Sequence, residues 1–319
     1  MVDIKKIANW PALPALILTL AVLVAGGLTT SYFFKYSFIS RVWETYMPTV
    51  LISIGLTAVI ICGAIDLSAG TIAALVNCLC IYLIRKAGLD AGTALLIGIA
   101  AGLFFGALNG VLVSIFRLNA LISTFAMSWI TGGLALWIYP DSSVYERVGD
   151  LARIYNKGAY LGIPAPFFLL IPALAVWHII MGSSIGPKMY AIGGDQKKAF
   201  VTGVNIPQII IASFMFSGFT AALAGIAMIG IFGVGMADQG MAYILPAIAA
   251  CVIGGIPLTG GVGECYGPIF GAFFIAFLTP LVLAVDIDPY FQEITKNMII
   301  FLGIILPSVI WFIVGKRSV

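Results

Sequence analysis

The sequence predicts an all-α protein threaded repeatedly through a lipid bilayer, with about ten transmembrane helices, some of them broken, in one domain covering residues 1–319. Three observations predict it. Of the 319 residues 61% are hydrophobic and only 9% charged, and the mean hydropathy is +1.12. Soluble domains carry about a quarter charged residues, and a chain of this length has too little interior to hide so much apolar surface, so lipid must solvate most of it. Apolar residues also fall into runs of spanning length, about 20 residues each, with short connections between them. Finally, two runs are short and flanked by glycine clusters, as in helices interrupted within a membrane.

The runs cover 12–34, 47–65, 68–84, 92–116, 119–139, 164–182, 207–231, 243–257, 267–285 and 297–314. The first follows Lys5 and Lys6 and resembles a signal peptide. It continues past Phe33 without a small-residue cleavage pattern, so it reads as a retained span. The short runs are 68–84 and 243–257. Before the sixth run lies the longest polar connection, 140–163, with Asp141, Glu146, Arg147, Asp150, Arg153 and Lys157. It reads as an external loop or short helix, either a connector or a docking surface.

An even number of spans puts both termini on one side, expected to be the cytoplasm. Lys5, Lys6, Arg117, Lys188, Lys197, Lys198, Lys316 and Arg317 then lie inside. Lys35, Arg41, Arg85, Lys86, Arg147, Arg153, Lys157 and Lys296 lie outside, so the positive-inside rule is level. A net charge of +3 without a dense Lys/Arg run argues against nucleic acid as a partner. Cys62, Cys78, Cys80, Cys251 and Cys265 have neither metal-ligand spacing nor a disulfide pattern, and read as buried free thiols.

An internal echo joins two connections. Gly63-Ala64-Ile65-Asp66-Leu67-Ser68-Ala69-Gly70 matches Gly254-Gly255-Ile256-Pro257-Leu258-Thr259-Gly260-Gly261 at four positions, with a Ser/Thr exchange at a fifth. It is either a duplicated helix–break–helix unit or a chance match of low-complexity residues.

Asp66 is the only acid between Val50 and Ile84. A carboxylate facing lipid is too costly, so it must face protein, water or a pore. Either Asp66 and Ser68 cap the helix beginning near Ala69, or the carboxylate meets a polyhydroxylated solute or a gating partner. Asn77, Asn109, Asn119, Ser123, Thr124, Ser128, Trp129 and Thr131 also lie within runs or at their ends. Hydroxyls and amides beside an aromatic wall suit a neutral sugar; equally, they suit hydrogen bonds between helices. The rows Gly98/Gly102/Gly106 and Gly267/Gly271 predict close helix approach. His178 has no second ligand or base nearby in sequence and reads as structural.

Residues 193–207 form the most informative connection. Asp195 can cap a two-turn helix over 196–202, with Gly203 as its stop and Asn205 and Pro207 opening the next span. Gly193, Gly194, Asp195, Lys197, Phe200, Val201 and Gly203 are the candidate docking residues, with Phe200 and Val201 as apolar knobs. The other reading is an amphipathic helix lying on lipid. The Gly315-Lys316 pair is followed by Arg317, so no phosphate-binding Gly-Lys-Ser/Thr pattern occurs, and no Ser/His/Asp or Cys/His set suggests hydrolysis. The chain is therefore expected not to act as an enzyme alone.

These blocks resemble the ribose-type family of ATP-binding-cassette importer permeases. The carriers are Gly63–Gly70, Asn119–Thr124, Tyr190–Asp195 with Ala199 and Gly203–Asn205, and Pro246–Gly255 continuing to Gly271-Ala272. Their order holds over about 45–314. The resemblance implies a ten-span permease acting as a dimer with a second permease copy or related chain. It also implies two ATPase subunits, with ATP and magnesium on them, docked on a coupling helix at about 195–203. An extracytoplasmic solute-binding protein would deliver a sugar or sugar-like solute across a bacterial inner membrane. Ala64, Pro257 and the run Gly263–Pro268 depart from the pattern, and Gly267-Pro268 leans toward the related nucleoside and branched-chain amino-acid permeases. An ion-coupled transporter using Asp66 is a further alternative.

Overall fold

The computed structural model describes residues 10–140, 148, 151, 153–155, 159–160, 163–285 and 287–315. Lys5, Lys6, Asp141, Glu146, Arg147, Asp150, Lys157, Lys316 and Arg317 lie outside them, as does most of the 140–163 connection.

Each of the ten apolar runs overlaps one α-helix. They are α1 (Leu13–Thr29), α2 (Tyr36–Ile61), α3 (Ala69–Arg85), α4 (Ala91–Ser114), α5 (Ala120–Ile138), α6 (Leu170–Gly182), then α7 (Ile185–Gly194) and α8 (Gln196–Val201) between runs, followed by α9 (Ile206–Phe232), α10 (Ile244–Ile253), α11 (Tyr266–Ala284) and α12 (Pro289–Gly315). Short 3₁₀ turns at Ala165–Leu169 and Gln239–Tyr243 lead into α6 and α10. The described strands are a two-residue pair, Ala159–Tyr160 against Ile163–Pro164. By length and composition α2, α4, α5, α9, α11 and the segment Ala165–Gly182 can each cross a membrane, while α1, α3 and Gln239–Ile253 are shorter. The expected short pair is thus present.

Helix ends depart from the apolar runs for identifiable reasons. α2 begins at Tyr36 rather than near 47, because the helix continues through Arg41 and Glu44, whose side chain accepts a bond from Ser40 one turn earlier. α12 begins at Pro289 for the same reason, its first turns carrying Glu293 and Lys296 as an i,i+3 ion pair. Apolar windows find the part of a helix in lipid, not its polar end.

The core lies along α2, α3 and α9. α2 is buried continuously from Met47 to Ile61, and α9 is buried over most of its length. α4 lies against α9 through its glycine row: a Cβ on Gly102 would overlap Gly218 O, and one on Gly106 would overlap Phe214 O. Gly271 likewise meets the backbone of Ala250, bringing α11 onto α10. Without a hydrophobic drive between helices in lipid, such backbone approach and its dispersion energy hold the bundle together.

The echo is real at helix ends but offset. α2 ends with Gly63 at φ +79°, its N–H donating to Ile60 O and that of Ala64 to Val59 O. α10 ends with Gly255 at φ +85°, its N–H donating to Val252 O and that of Ile256 to Cys251 O. The geometric partner of Gly63 is therefore Gly255, one residue beyond its partner in the sequence match. The likeness stops there. Ala69 begins a helix soon after the first break, whereas the second runs irregularly until Tyr266.

Candidate functional site

Two features meet at the C-terminal end of α2, a buried polar hub and a short exposed helix rooted in glycine. The hub forms where α2 has stopped and α3 has not begun. Asp66 is fully buried. Its Oδ1 accepts from the backbone N–H of Ser68 at 2.9 Å and from Ser68 Oγ at 2.7 Å, and its Oδ2 accepts from Ser217 Oγ on α9 at 2.8 Å. Ser68 Oγ in turn accepts from Asn109 Nδ2 on α4 at 2.7 Å. Thr124 on α5 accepts from the N–H of Leu67 at 3.1 Å, and Thr71 shares a 2.8 Å bond with Thr131 of α5. The seven-residue break, 62–68, is thus fastened to α4, α5 and α9. Bonds that satisfy a buried carboxylate are worth most when none is missing. Asn109 Oδ1 is buried in this network without a partner among the described residues.

This arrangement corrects the capping expectation in part. Ser68 is the N-cap residue of α3, but its side chain makes no cap bond, because the hydroxyl is committed to Asp66. Asp66 supplies the local acceptor instead, receiving the Ser68 N–H.

The other polar candidates separate. Asn119 caps α5 through the N–H groups of Leu121 and Ile122. The Ser123 and Ser128 hydroxyls bond carbonyls one turn back on their own helix. Asn77 is buried elsewhere on α3, accepting from Met236 N–H, with its Nδ2 unpartnered among the described residues. Trp129 does not wall the hydroxyls. It lies 64% exposed, edge-on to Phe125 with ring centres 6.1 Å apart, because positions 128 and 129 are about 100° apart around a helix. Ser217 was the missed member. Its signal was present in the row Ser213, Ser217, Thr220 along one face of an otherwise apolar run.

The second feature is α8. The Asp195 carboxylate accepts from the N–H groups of Lys197 and Lys198, both at 3.0 Å, and pairs with Lys198 Nζ at 3.3 Å. These bonds, led by that from the Lys198 backbone, hold the Asp195 carboxyl below its ordinary value. Gly203, at φ +82°, closes the helix by donating to Phe200 O, and Asn205 caps α9 through Gln208 N–H. Ala199 is buried, while Phe200 and Val201 are 70% and 84% exposed. α7, which precedes α8, was not anticipated, since Gly186, Pro187, Gly193 and Gly194 obscure its helical pattern.

Gly193 roots this pair of helices. A Cβ there would overlap Ile61 O, the last carbonyl of α2, and lie 2.5 Å from Gly261 N. The Gly261 N–H donates to Ile61 O at 2.9 Å, and a Cβ on Gly260 would stand 2.8 Å from Gly63 N. The two echo blocks and the root of α8 therefore touch through backbone alone, a few residues from Asp66.

Residues 38–307 match the model of the family described as branched-chain amino acid transport system / permease component. The chain belongs to that family. The permease is 29% identical over 296 residues to the ribose import permease protein of Haemophilus influenzae, covering 91% of this chain and 90% of the relative. It is 31% identical over 296 residues to the D-allose transport system permease protein of Escherichia coli K12, covering 92% and 90%. With the fructose import permease protein of Bifidobacterium longum it shares 25% over 318 residues, covering 97% and 93%. No solved structure matches it. This multi-pass membrane chain is the permease component of an importer powered by ATP-binding-cassette subunits.

Proposed function

We propose that the permease carries a sugar or sugar-like solute inward, working as a dimer of permease chains above two ATPase subunits. ATP and magnesium reside on those subunits, and an extracytoplasmic binding protein supplies the solute. In this reading the α8 face and both termini are cytoplasmic, in a bacterial inner membrane. The observation that carries it is the pair Phe200 and Val201, held outward on a helix capped at both ends and rooted by Gly193. Two exposed apolar side chains on a rigid stub suit a groove on a soluble partner better than a connector does. The names of the ribose, allose and fructose relatives support the cargo class.

Closure of the ATPase pair would press α8, and the glycine contact would pass that movement to the end of α2 and the break holding Asp66. Alternating access then needs two packings of similar energy. Asp66 and Ser68 act in this scheme by holding the break, and the exposed face of α5 around Trp129 lies along the solute path. Reconstituted vesicles containing the permease, its ATPase and its binding protein test the whole reading. Radiolabelled ribose, allose or fructose should accumulate only with ATP, and accumulation of leucine or a nucleoside instead would overturn the cargo assignment.

A further inference from the structure

Beside the glycine contact that roots α8, a cleft of about 510 Å³ opens between α6, α7 and the start of α11. Trp177, His178, Tyr190, Glu264 and Tyr266 line it. Its polar atoms have one character. His178 Nδ1 lies 2.7 Å from Leu174 O; a carbonyl only accepts, so Nδ1 carries a proton. In the neutral ring Nε2 is then an acceptor, and Tyr266 donates its hydroxyl proton to it across 2.8 Å. Tyr190 donates its own to Gly263 O at 2.7 Å. Both phenol protons are thus directed at protein partners. What is left for an occupant is phenolic oxygen, aromatic surface and the Glu264 carboxylate. The Trp10 side chain hydrogen-bonds the Glu264 carboxylate, whose Oε1 is buried without a partner among the described residues.

A buried acceptor without a donor is costly. Aromatic rings around a carboxylate are the surroundings that recognise an ammonium group. The cleft's position narrows the source of that group. Tyr266 is the first residue of α11, His178 lies one turn before the end of α6, and Trp10 precedes α1 by three residues, beside Glu264. Tyrosine and tryptophan at span ends mark the headgroup level of a bilayer. We propose that this cleft binds the primary ammonium headgroup of a membrane phospholipid, with Glu264 accepting its N–H groups and the Trp177, Tyr190 and Tyr266 side chains enclosing it.

Native mass spectrometry of the full-length permease in detergent tests this, with phosphatidylethanolamine and phosphatidylglycerol of matched chains as probes. Phosphatidylethanolamine should be retained about tenfold more than phosphatidylglycerol, a ratio in keeping with a charge-assisted and cation–π contact. Glu264→Gln preserves shape and should abolish that preference, whereas Glu293→Gln, on an exposed turn of α12, should leave it intact. Equal retention of the two lipids by the wild type, or an unchanged preference in Glu264→Gln, overturns the proposal. So does binding of free ethanolamine as tightly as the lipid, which would assign the cleft to a soluble amine. Lipid preference that appears only after Lys5→Ala and Lys6→Ala replacement would show the chain's own ammonium groups as occupants and equally overturn it. A variant that does not fold is recognised by a lost thermal transition, and Trp177→Leu, which removes an enclosing ring and keeps the carboxylate, should then still lower retention severalfold.

Discussion

Asp66 has no cation bonded to it among the described residues; its charge is met by hydroxyl and backbone donors. Ser217→Ala removes the donor to Oδ2 and leaves a buried carboxylate oxygen unpaired. This should cost about 1–3 kcal/mol, read as a lowered thermal midpoint of the purified permease. Ser217→Thr keeps the hydroxyl and should recover much of it. An unchanged midpoint in Ser217→Ala would show that the bond contributes nothing. At Gly193 the problem is space. Gly193→Ala places a methyl group on Ile61 O, so the root of α8 must shift, at about 1–3 kcal/mol. The same change at Gly194, where an added Cβ meets nothing within 4 Å, should be mild by comparison. The residue scale was also only half legible in the sequence. Asp66 declared itself, because a lone acid in an apolar run must be satisfied. Its partners did not, since Ser217 lies 151 positions away and a serine within a span usually bonds its own helix.

Among the elements, α8 depends on its caps, because six residues cannot sustain a helix alone. Asp195→Ala removes the acceptor for two N–H groups. Amide exchange at Lys197 and Lys198 should accelerate while α9, capped separately by Asn205, stays protected. The Asp195 carboxyl sits below its ordinary value, so its support for α8 is complete at neutral pH. That support is lost progressively as the pH falls from the ordinary carboxyl value through the lowered one. Exchange rates identical to wild type would remove Asp195 as the cap. At this scale the sequence was informative wherever an element had a chemical start and stop, as with Asp195 and Gly203. It was misleading where glycine and proline broke the pattern inside a helix, which hid α7. It also placed α2 and α12 too late, since hydropathy reports contact with lipid while the backbone keeps its hydrogen bonds beyond it.

For the whole molecule, the all-α class and the order of the apolar helices were legible because each must satisfy its backbone internally within a bilayer, while six of those described are long and apolar enough to cross it. Which faces meet was legible only where small residues recur, as on α4. Gly102→Leu should separate α4 from α9 and reduce the yield of folded permease severalfold, measured as the monodisperse fraction after extraction, with Gly133→Leu, in open space on α5, as control. Phe200→Asp should leave that fraction unchanged while lowering ATPase co-purification at least severalfold; undiminished co-purification would sink the docking role of α8. ATP depletion should end uptake entirely.

The contact among Ile61, Gly193 and Gly261 contains no side chain that could be exchanged for another. If movement passes through it as proposed, that contact has no chemical preference to retune and would treat every cargo alike. Grafting the exposed face of α5 from the D-allose relative, with Thr124 and Thr131 retained, should therefore redirect what is carried while the rate of nucleotide consumption per solute stays the same.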